Sequence, residues 1–331
     1  MGYSVAIRTL GTSPETLKQE LISLHRQTVL PEKIIIYIAK GYPRPDFRVG
    51  IEEYVEVKKG MVSQRALDYN EIDSEYILLL DDDVKFDDRS LERILKIANK
   101  EVADCVAFDT FKNHEMSTGT KIKSAVTNWV LPRYNSKWAF KIHSHGSFSY
   151  INNPQKEFYP SMSAGGPASL WRRASLLSLK LKDEVWLDKL SFAYGEDNLG
   201  FYKLYKNGGK LLVFFDGKIE NLDAKSSSQS YLNDPERFRV RAKAMVILWH
   251  RMIYSSSDNI RKAQIAKGLF NLRLVWTFLL LLLMSFSSSY RNHFKEFYRG
   301  IKEGKKFVKS KEYQAIPPYI FYENTPCHNF S

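Results

Sequence analysis

The sequence predicts an α/β protein: a mixed, mainly parallel sheet flanked by helices, followed by a basic, partly apolar helical extension at the C-terminus. Three observations carry this. The run Tyr76–Leu80 is continuously apolar, as a strand covered on both faces of a parallel sheet must be, and it stops at three consecutive acids, Asp81, Asp82 and Asp83. Strand and helix patterns alternate through about the first 83 residues, which is how parallel strands and their crossovers read. Positive charge is concentrated near the end: of a net +12, the segment 237–311 holds 17 Lys and Arg against three acids, which leaves the rest close to neutral.

Taken in order, Tyr3–Arg8 reads as a strand, and the loop GTSPE supplies Ser13 as a cap and Pro14 as the first residue of a helix running to about Arg26. Lys33–Ala39 is a second buried strand, and the Gly and Pro of KGYPRPD mark a loop. A third short strand covers Tyr54–Val57, and a helix is expected over Val62–Asn70 before the strand that ends in the acids. After Asp88 a helix extends to about Lys100 with Leu91, Ile94, Leu95 and Ile97 on one face, and Val102–Phe111 reads as a strand. The stretch 113–159 is aromatic and aperiodic. SAGGPASLWRR, 163–173, reads as a small-residue turn before an aromatic and two bases. Glu196 and Asp197 open a helix that Asn207 and Gly208 stop, Leu211–Asp216 is a strand, and Asp234 with Pro235 caps a long basic helix to about Tyr254.

The totals narrow the classes. An apolar fraction of 44% in 331 residues supports a packed core and excludes bulk disorder. Cys105 and Cys327 lack metal spacing and suggest no disulfide framework, and a buried thiol is the expectation for Cys105. MGYSVAIRTLG has the pattern of a strand rather than a signal peptide, so the chain is expected in the cytoplasm. The apolar peak Leu274–Phe286 spans only about 20 Å as helix, short of a hydrocarbon core of about 30 Å. Extending it back to Ile265 takes in Lys267, Asn271 and Arg273. It reads either as a helix held at a membrane surface by flanking bases or as a buried helix of a C-terminal subdomain.

The acids point to chemistry. Carboxylates at the carboxyl end of a parallel strand lie where open α/β sheets bind ligands, and their mutual repulsion calls for a cation such as Mg²⁺ or Mn²⁺. No GxGxxG and no GxxxxGK[ST] occurs, so any phosphate would be held through metal. Glu196 and Asp197 either answer the helix dipole or present a base at a pocket rim. Gly165 and Gly166 permit either close backbone approach or a plain turn. His143 and His145 could ligate a metal or form a polar strand edge.

Over about Ser4–Ser228 the chain resembles the family 2 glycosyltransferases of the Rossmann-like GT-A fold. VAIRTLGTSPETLKQELISLHRQTVLPEKIII is similar to the family's nucleotide-binding start, with SLxxQT at Ser23–Thr28. KKGMVSQRALDYN resembles its Gly and Arg segment, YILLLDDDV its DXD motif, and YGEDNLGFYKLYKNGG the motif carrying the catalytic base. In place of the family's aspartate after the second strand stand Ala39 and Lys40, and in place of a metal-binding histidine stand Asn221 or Asp223. QxxRW is absent, which implies addition of a single sugar.

The resemblance implies an inverting transferase with Asp197 as base and Glu196 orienting it or binding acceptor. Asp81 and Asp83 would hold Mn²⁺ or Mg²⁺, and Thr9, Arg65, Asp81 and Asp82 the nucleotide-sugar donor, a UDP-sugar. Gly165, Gly166, Arg172 and Trp186 are assigned to the acceptor by position. The acceptor is expected to be a glycan, lipid-linked, in surface polysaccharide synthesis, with 237–311 against an anionic membrane at the inner face of the cell membrane. No nucleic acid partner is expected, since the bases are interleaved with long aliphatic runs. The expected division is a catalytic domain over 1–230, a helical extension over 231–314 and a tail over 315–331. Metal-dependent nucleotidyl transfer and a non-catalytic membrane- or nucleic-acid-binding protein are the alternatives.

Overall fold

The computed structural model describes residues 2–110, 134–190, 195–222, 235–284 and 291–320. The first half runs β1 (Tyr3–Thr9), α1 (Pro14–His25), β2 (Ile34–Ala39), β3 (Glu52–Val57), β4 (Tyr76–Asp81), β5 (Val84–Phe86), α2 (Ser90–Lys100) and β6 (Cys105–Phe108). Short strands follow: β7 (Tyr134–Asn135), β8 (Phe140–Ile142), β9 (Phe148–Ile151), β10 (Phe158–Pro160) and β11 (Ala168–Arg172). Next come α3 (Arg173–Ser178), a 3-10 helix (Leu181–Lys189), α4 (Glu196–Lys206), β12 (Leu211–Phe214) and β13 (Ile219–Asn221). The extension holds α5 (Pro235–Trp249), a π-helical turn (His250–Tyr254), α6 (Ile260–Met284), α7 (Arg291–Phe307) and α8 (Lys311–Gln314).

The main sheet has the order β10-β12-β6-β11-β4-β1-β2-β3. β3, β2, β1 and β4 are mutually parallel, and β6 and β12 run with them; β11 and β10 oppose. Alternation along each strand divides the core. Val5, Ile7, Ile34, Ile36, Leu78 and Leu80 pack under α1 and α2 with Leu17, Leu21, Leu91 and Ile94, whereas Ala6, Ile35, Tyr37, Ile77 and Leu79 face Trp171, Leu176 and Phe201. Both faces are covered, so these strands carry no polar alternation. The chain leaves β1 in one direction for β2 and returns on its other side as β4. That reversal opens a crevice at the strand ends.

Several sequence expectations are corrected. Val62–Asn70 forms turns rather than a helix, because its polar groups bond outward: Gln64 Nε2 donates to Thr9 O at 3.0 Å and Tyr37 O at 3.3 Å. Ser13 makes no side-chain cap; its backbone carbonyl accepts from Leu17 N at 3.2 Å. SAGGPASLWRR is a turn only as far as Pro167; Ala168–Arg172 forms β11, inserted antiparallel between β4 and β6.

The extension packs on the sheet domain. α5 and α7 cross closely because Gly300 and Gly304 lack side chains: a Cβ at Gly304 would lie 2.8 Å from the Val246 Cβ, and one at Gly300 would meet Arg239 O. α6 buries Ala263, Ala266, Phe270, Leu274 and Leu281, with Phe270 stacked on Trp249 at 4.0 Å. Its other side exposes Ile265, Leu269, Leu272, Val275, Leu279, Leu282 and Leu283. The helix is also longer than the apolar peak alone suggests. It is continuous over Ile260–Met284, and by length and composition Ile260–Leu283 could cross a membrane. Arg273 does not interrupt it, since its guanidinium turns inward to donate to His145 O at 3.1 Å.

Candidate active site

The crevice at the ends of β1 and β4 is built around two arginines and five carboxylates. Register sets the first contact, because Arg8 on β1 stands directly beside Asp81 on β4. The Arg8 guanidinium holds both Asp81 oxygens, the Nη2–Oδ2 distance being 3.2 Å, and its Nη2 reaches Glu196 Oε1 at 3.7 Å. Arg65, from the 60–66 turn, donates to Asp81 Oδ1 at 3.0 Å and to Gly166 O at 2.8 Å, and its other terminal nitrogen abuts Asp197. One guanidinium thus joins the strand-end acids to the acids that open α4, more than a hundred residues later in the chain.

Two glycines allow this approach. A side chain at Gly166 would occupy the position of the Asp197 carboxylate. Gly195 precedes α4 with φ +86°, a left-handed conformation that favours glycine, and a Cβ there would meet Leu248 of α5 at 2.6 Å. Glu196 and Asp197 then lie in the first turn of α4, where the helix dipole favours negative charge. Beneath them a cleft is lined by Val62, Leu79, Trp171, Leu187, Leu199 and Phe201.

Charge balance distinguishes the three strand-end acids. Burial would raise Asp81, but Arg8 and Arg65 outweigh it and hold its carboxyl down at about 2. Asp82 is shifted the other way, raised by burial and by Asp81 despite accepting from the Thr9 hydroxyl. Below the loop, Glu20 on α1 is fully buried and pushed well above the carboxylate range by burial and by Asp82 and Asp83. Its Oε1 has no hydrogen-bond partner and its Oε2 accepts only a long 3.4 Å bond from Val84 N. β13 pairs Asn221 with Val84, and Leu222 N donates to Asp83 O at 2.8 Å, so Asn221 stands beside Asp83; Asp223 lies outside the described residues.

This donor set fits a hard divalent cation in part. Crowded negative charge at Asp82 and Asp83 is what a cation would relieve, and Mg²⁺-type sites use one or two carboxylates with substrate phosphate and water completing the shell. Among the described residues no group of three or more His, Cys, Asp or Glu forms a ready cage. Asp81 is the least suited of the three acids, because both its oxygens already bond arginine.

Of the residues expected here, Thr9, Arg65, Asp81, Asp82, Asp83, Gly166, Glu196 and Asp197 come together. Gly165 adjoins them, its backbone against Thr110. Arg172 does not. It pairs with Tyr76 at the opposite end of β4, about 16 Å from Asp81 at 3.3 Å per strand residue, and bonds Glu75 Oε1 at 2.5 Å and Tyr76 Oη at 2.8 Å. Trp186 also falls outside: its ring stacks on Phe307 and its Nε1 donates to Glu184 at 3.0 Å, against the extension. His143 and His145 stack at 5.4 Å and bond Ser149 and Ser147, and burial lowers each to about 4, which leaves a neutral, satisfied pair. Arg8 is a site residue that lies within the VAIRTLG start without being marked by it, and its signal is a charge beside the apolar run Val5–Ile7.

No family model matches the chain, and no curated protein matches it. Among solved structures it is similar to a crystal structure of S. aureus TarS, at 14% identity and TM-score 0.47 over 82% of this chain and 43% of that one. It is similar to GalNAc-T7 with UDP, GalNAc and Mn²⁺, at 13% identity and TM-score 0.46 over 82% of this chain and 55% of the other. Residues 1–349 of S. aureus TarS in complex with UDP give 14% identity and TM-score 0.47 over 93% of this chain and 92% of that one. The chain thus spans about half the length of the first two. At these values the likeness is one of outline, and the chemistry is read from the side chains present.

Proposed function

We propose that this chain is an inverting GT-A glycosyltransferase that moves one sugar from a UDP-sugar to a hydroxyl of a glycan acceptor. The observation that supports it is the Arg65 bridge, which places a strand-end acid of the nucleotide-binding half and the helix-borne Asp197 on two sides of one crevice. A single-site binder has no need of the second carboxylate. A transferase requires both, one end to hold a diphosphate and the other to take a proton.

In this reading Asp197 accepts the acceptor hydroxyl proton while that oxygen attacks the anomeric carbon, and the bond from this carbon to the diphosphate breaks with its electron pair leaving on UDP. Glu196, held by Arg8, sets the α4 terminus against the crevice. Asp82 and Asp83 are the residues suited to hold Mn²⁺ or Mg²⁺, which when bound would supply positive charge to the departing diphosphate. Asp81 serves the nucleotide side through its arginines rather than as a metal ligand. The exposed apolar side of α6 and the bases over 237–311 support a location on an anionic membrane at its cytoplasmic face, and with it a lipid-linked acceptor of the kind used in surface polysaccharide synthesis.

The test is turnover of UDP-sugars with Mn²⁺, following UDP release. General base catalysis contributes about 10²- to 10⁴-fold, so Asp197→Asn is expected to lower transfer by about a thousandfold with UDP binding retained. Near wild-type transfer would refute the assignment of the base, and release of sugar 1-phosphate instead of UDP would show nucleotidyl transfer.

A further inference from the structure

We infer that Asp188 is a positioning residue that sets Arg65 in the crevice, an inference that rests on the transferase reading. Asp188 closes the 3-10 helix Leu181–Lys189, nine residues before Asp197, and belongs to none of the sequence motifs. Its carboxylate accepts from Val62 N at 2.9 Å, Ser63 N at 2.9 Å and the Ser63 hydroxyl at 2.6 Å. These are the leading amides of the turn, whose later amides bond back inside it: Gln64 N to Gly60 O at 3.0 Å, Arg65 N and Ala66 N to Val62 O at 2.9 and 2.8 Å. Leading amides of a helical turn have no internal partner, and an ionised acceptor gives them stronger, shorter bonds than a neutral one. Asp188 thus caps the turn from across the fold. The approach needs Gly60, where a Cβ would collide with the Asp188 carboxylate.

The capped turn is where the site's polar contacts converge. Met61 O accepts from Arg8 Nη1 at 2.9 Å, Gln64 ties the turn to the ends of β1 and β2, and the Tyr69 hydroxyl donates to Arg65 O at 2.8 Å. Arg65 projects from this frame to Asp81, Gly166 O and Asp197. A side chain as rotamer-rich as arginine serves as a fixed bridge only if its backbone is fixed first. With neither α-helix nor strand over 60–70, that fixing falls to Asp188 on one side and Gln64 on the other. Asp188 touches no reacting atom in this arrangement and acts through Arg65.

The experiment is a double-mutant cycle in the full chain, with kcat and KM for the UDP-sugar, thermal unfolding, and the ¹⁵Nε signal of Arg65 observed by NMR. A misplacement of about 1 Å can cost about 100-fold, so Asp188→Ala is expected to lower kcat/KM by about that factor, and Asp188→Asn by less because its carboxamide oxygen still accepts. Arg65→Ala should produce a similar loss, and the double variant should lose little beyond Arg65→Ala. Multiplicative losses in the double variant, or an unchanged Arg65 signal in Asp188→Ala, would overturn the inference. The NMR arm needs no turnover: if the wild-type chain transfers no sugar, the transferase reading falls while the Arg65 signal still decides whether Asp188 positions that side chain. Where Asp188→Ala proves unfolded, Asp188→Asn carries the same comparison.

Discussion

The crevice and the extension solve opposite problems with charge. In the crevice, arginines and carboxylates crowd together partly buried, where attraction between neighbours must offset lost hydration. In the extension, bases are spread along α5, α6 and α7, while packing rests on Phe270 against Trp249 and on glycines that bring α5 and α7 together. One region concentrates charge of both signs in a crevice. The other keeps most of its charge at the surface, Arg251 and Arg273 apart, and leaves an apolar helix side uncovered. The two meet at Glu184, fully buried, which accepts from Lys203 Nζ on α4 at 3.1 Å and from Arg251 Nη2 in the π-turn at 2.7 Å.

That junction gives the largest expected effect on stability. Glu184→Ala removes the carboxylate that two buried cations share, and breaking such a pair costs about 3 to 5 kcal/mol. A fall in Tm of roughly 4 to 7 °C is the expected reading, with donor turnover lost in parallel because α4 carries Asp197. If Tm held and only membrane binding changed, the two regions would be independent bodies.

A smaller effect tests the crevice alone. Asp81 is depressed from 3.8 to about 2 in the folded chain, so it contributes stability at neutral pH that is lost as pH falls from about 4 to about 2. The contribution is about 2 kcal/mol, since each tenfold change in proton affinity is worth about 1.4 kcal/mol. Urea unfolding at stepped pH should show Asp81→Asn less stable than wild type at pH 7, with the difference closing toward pH 2. A constant difference across that range would assign the loss to packing instead of charge.

The smallest effect on stability falls on the extension. Leu272→Asp with Leu279→Asp alters the exposed side of α6, where a surface change is worth within about 0.5 kcal/mol per site. The expected outcome is unchanged Tm with sedimentation on anionic liposomes abolished. Retained binding that falls only with salt would place the attraction in the bases rather than in the apolar side.

How far the sequence can be read follows from which forces are local. β1, β2, β4, α2 and α4 are legible because burial on both faces, or on one helical face, writes its period into consecutive residues. The 60–70 turn has a composition that suits a helix; what decides its shape is Gln64 and Asp188, distant groups with no period. β11 is hidden by its brevity and by the small residues that lead into it, Gly165 to Ser169. Arg172 goes with it, since five residues of strand carry that side chain from the crevice rim to the opposite end of the sheet. The acids stand out as a cluster, but their arginine partners set which of them can meet a cation, and Arg8 is visible as such only once β1 and β4 are in register.

Glu184 also bears on where this chain can be cut. A boundary near residue 230 follows the change in composition, yet Arg251 and Tyr319, whose hydroxyl donates to Leu199 O at 2.7 Å, come from beyond it to pack against the helix that bears Asp197. The unit of inheritance is therefore larger than the sheet domain. A chimera that joined residues 1–230 to a foreign anchor would keep every residue of the crevice and lose the backing of α4, whereas one exchanged within the exposed side of α6 could be redirected to another surface with its chemistry intact.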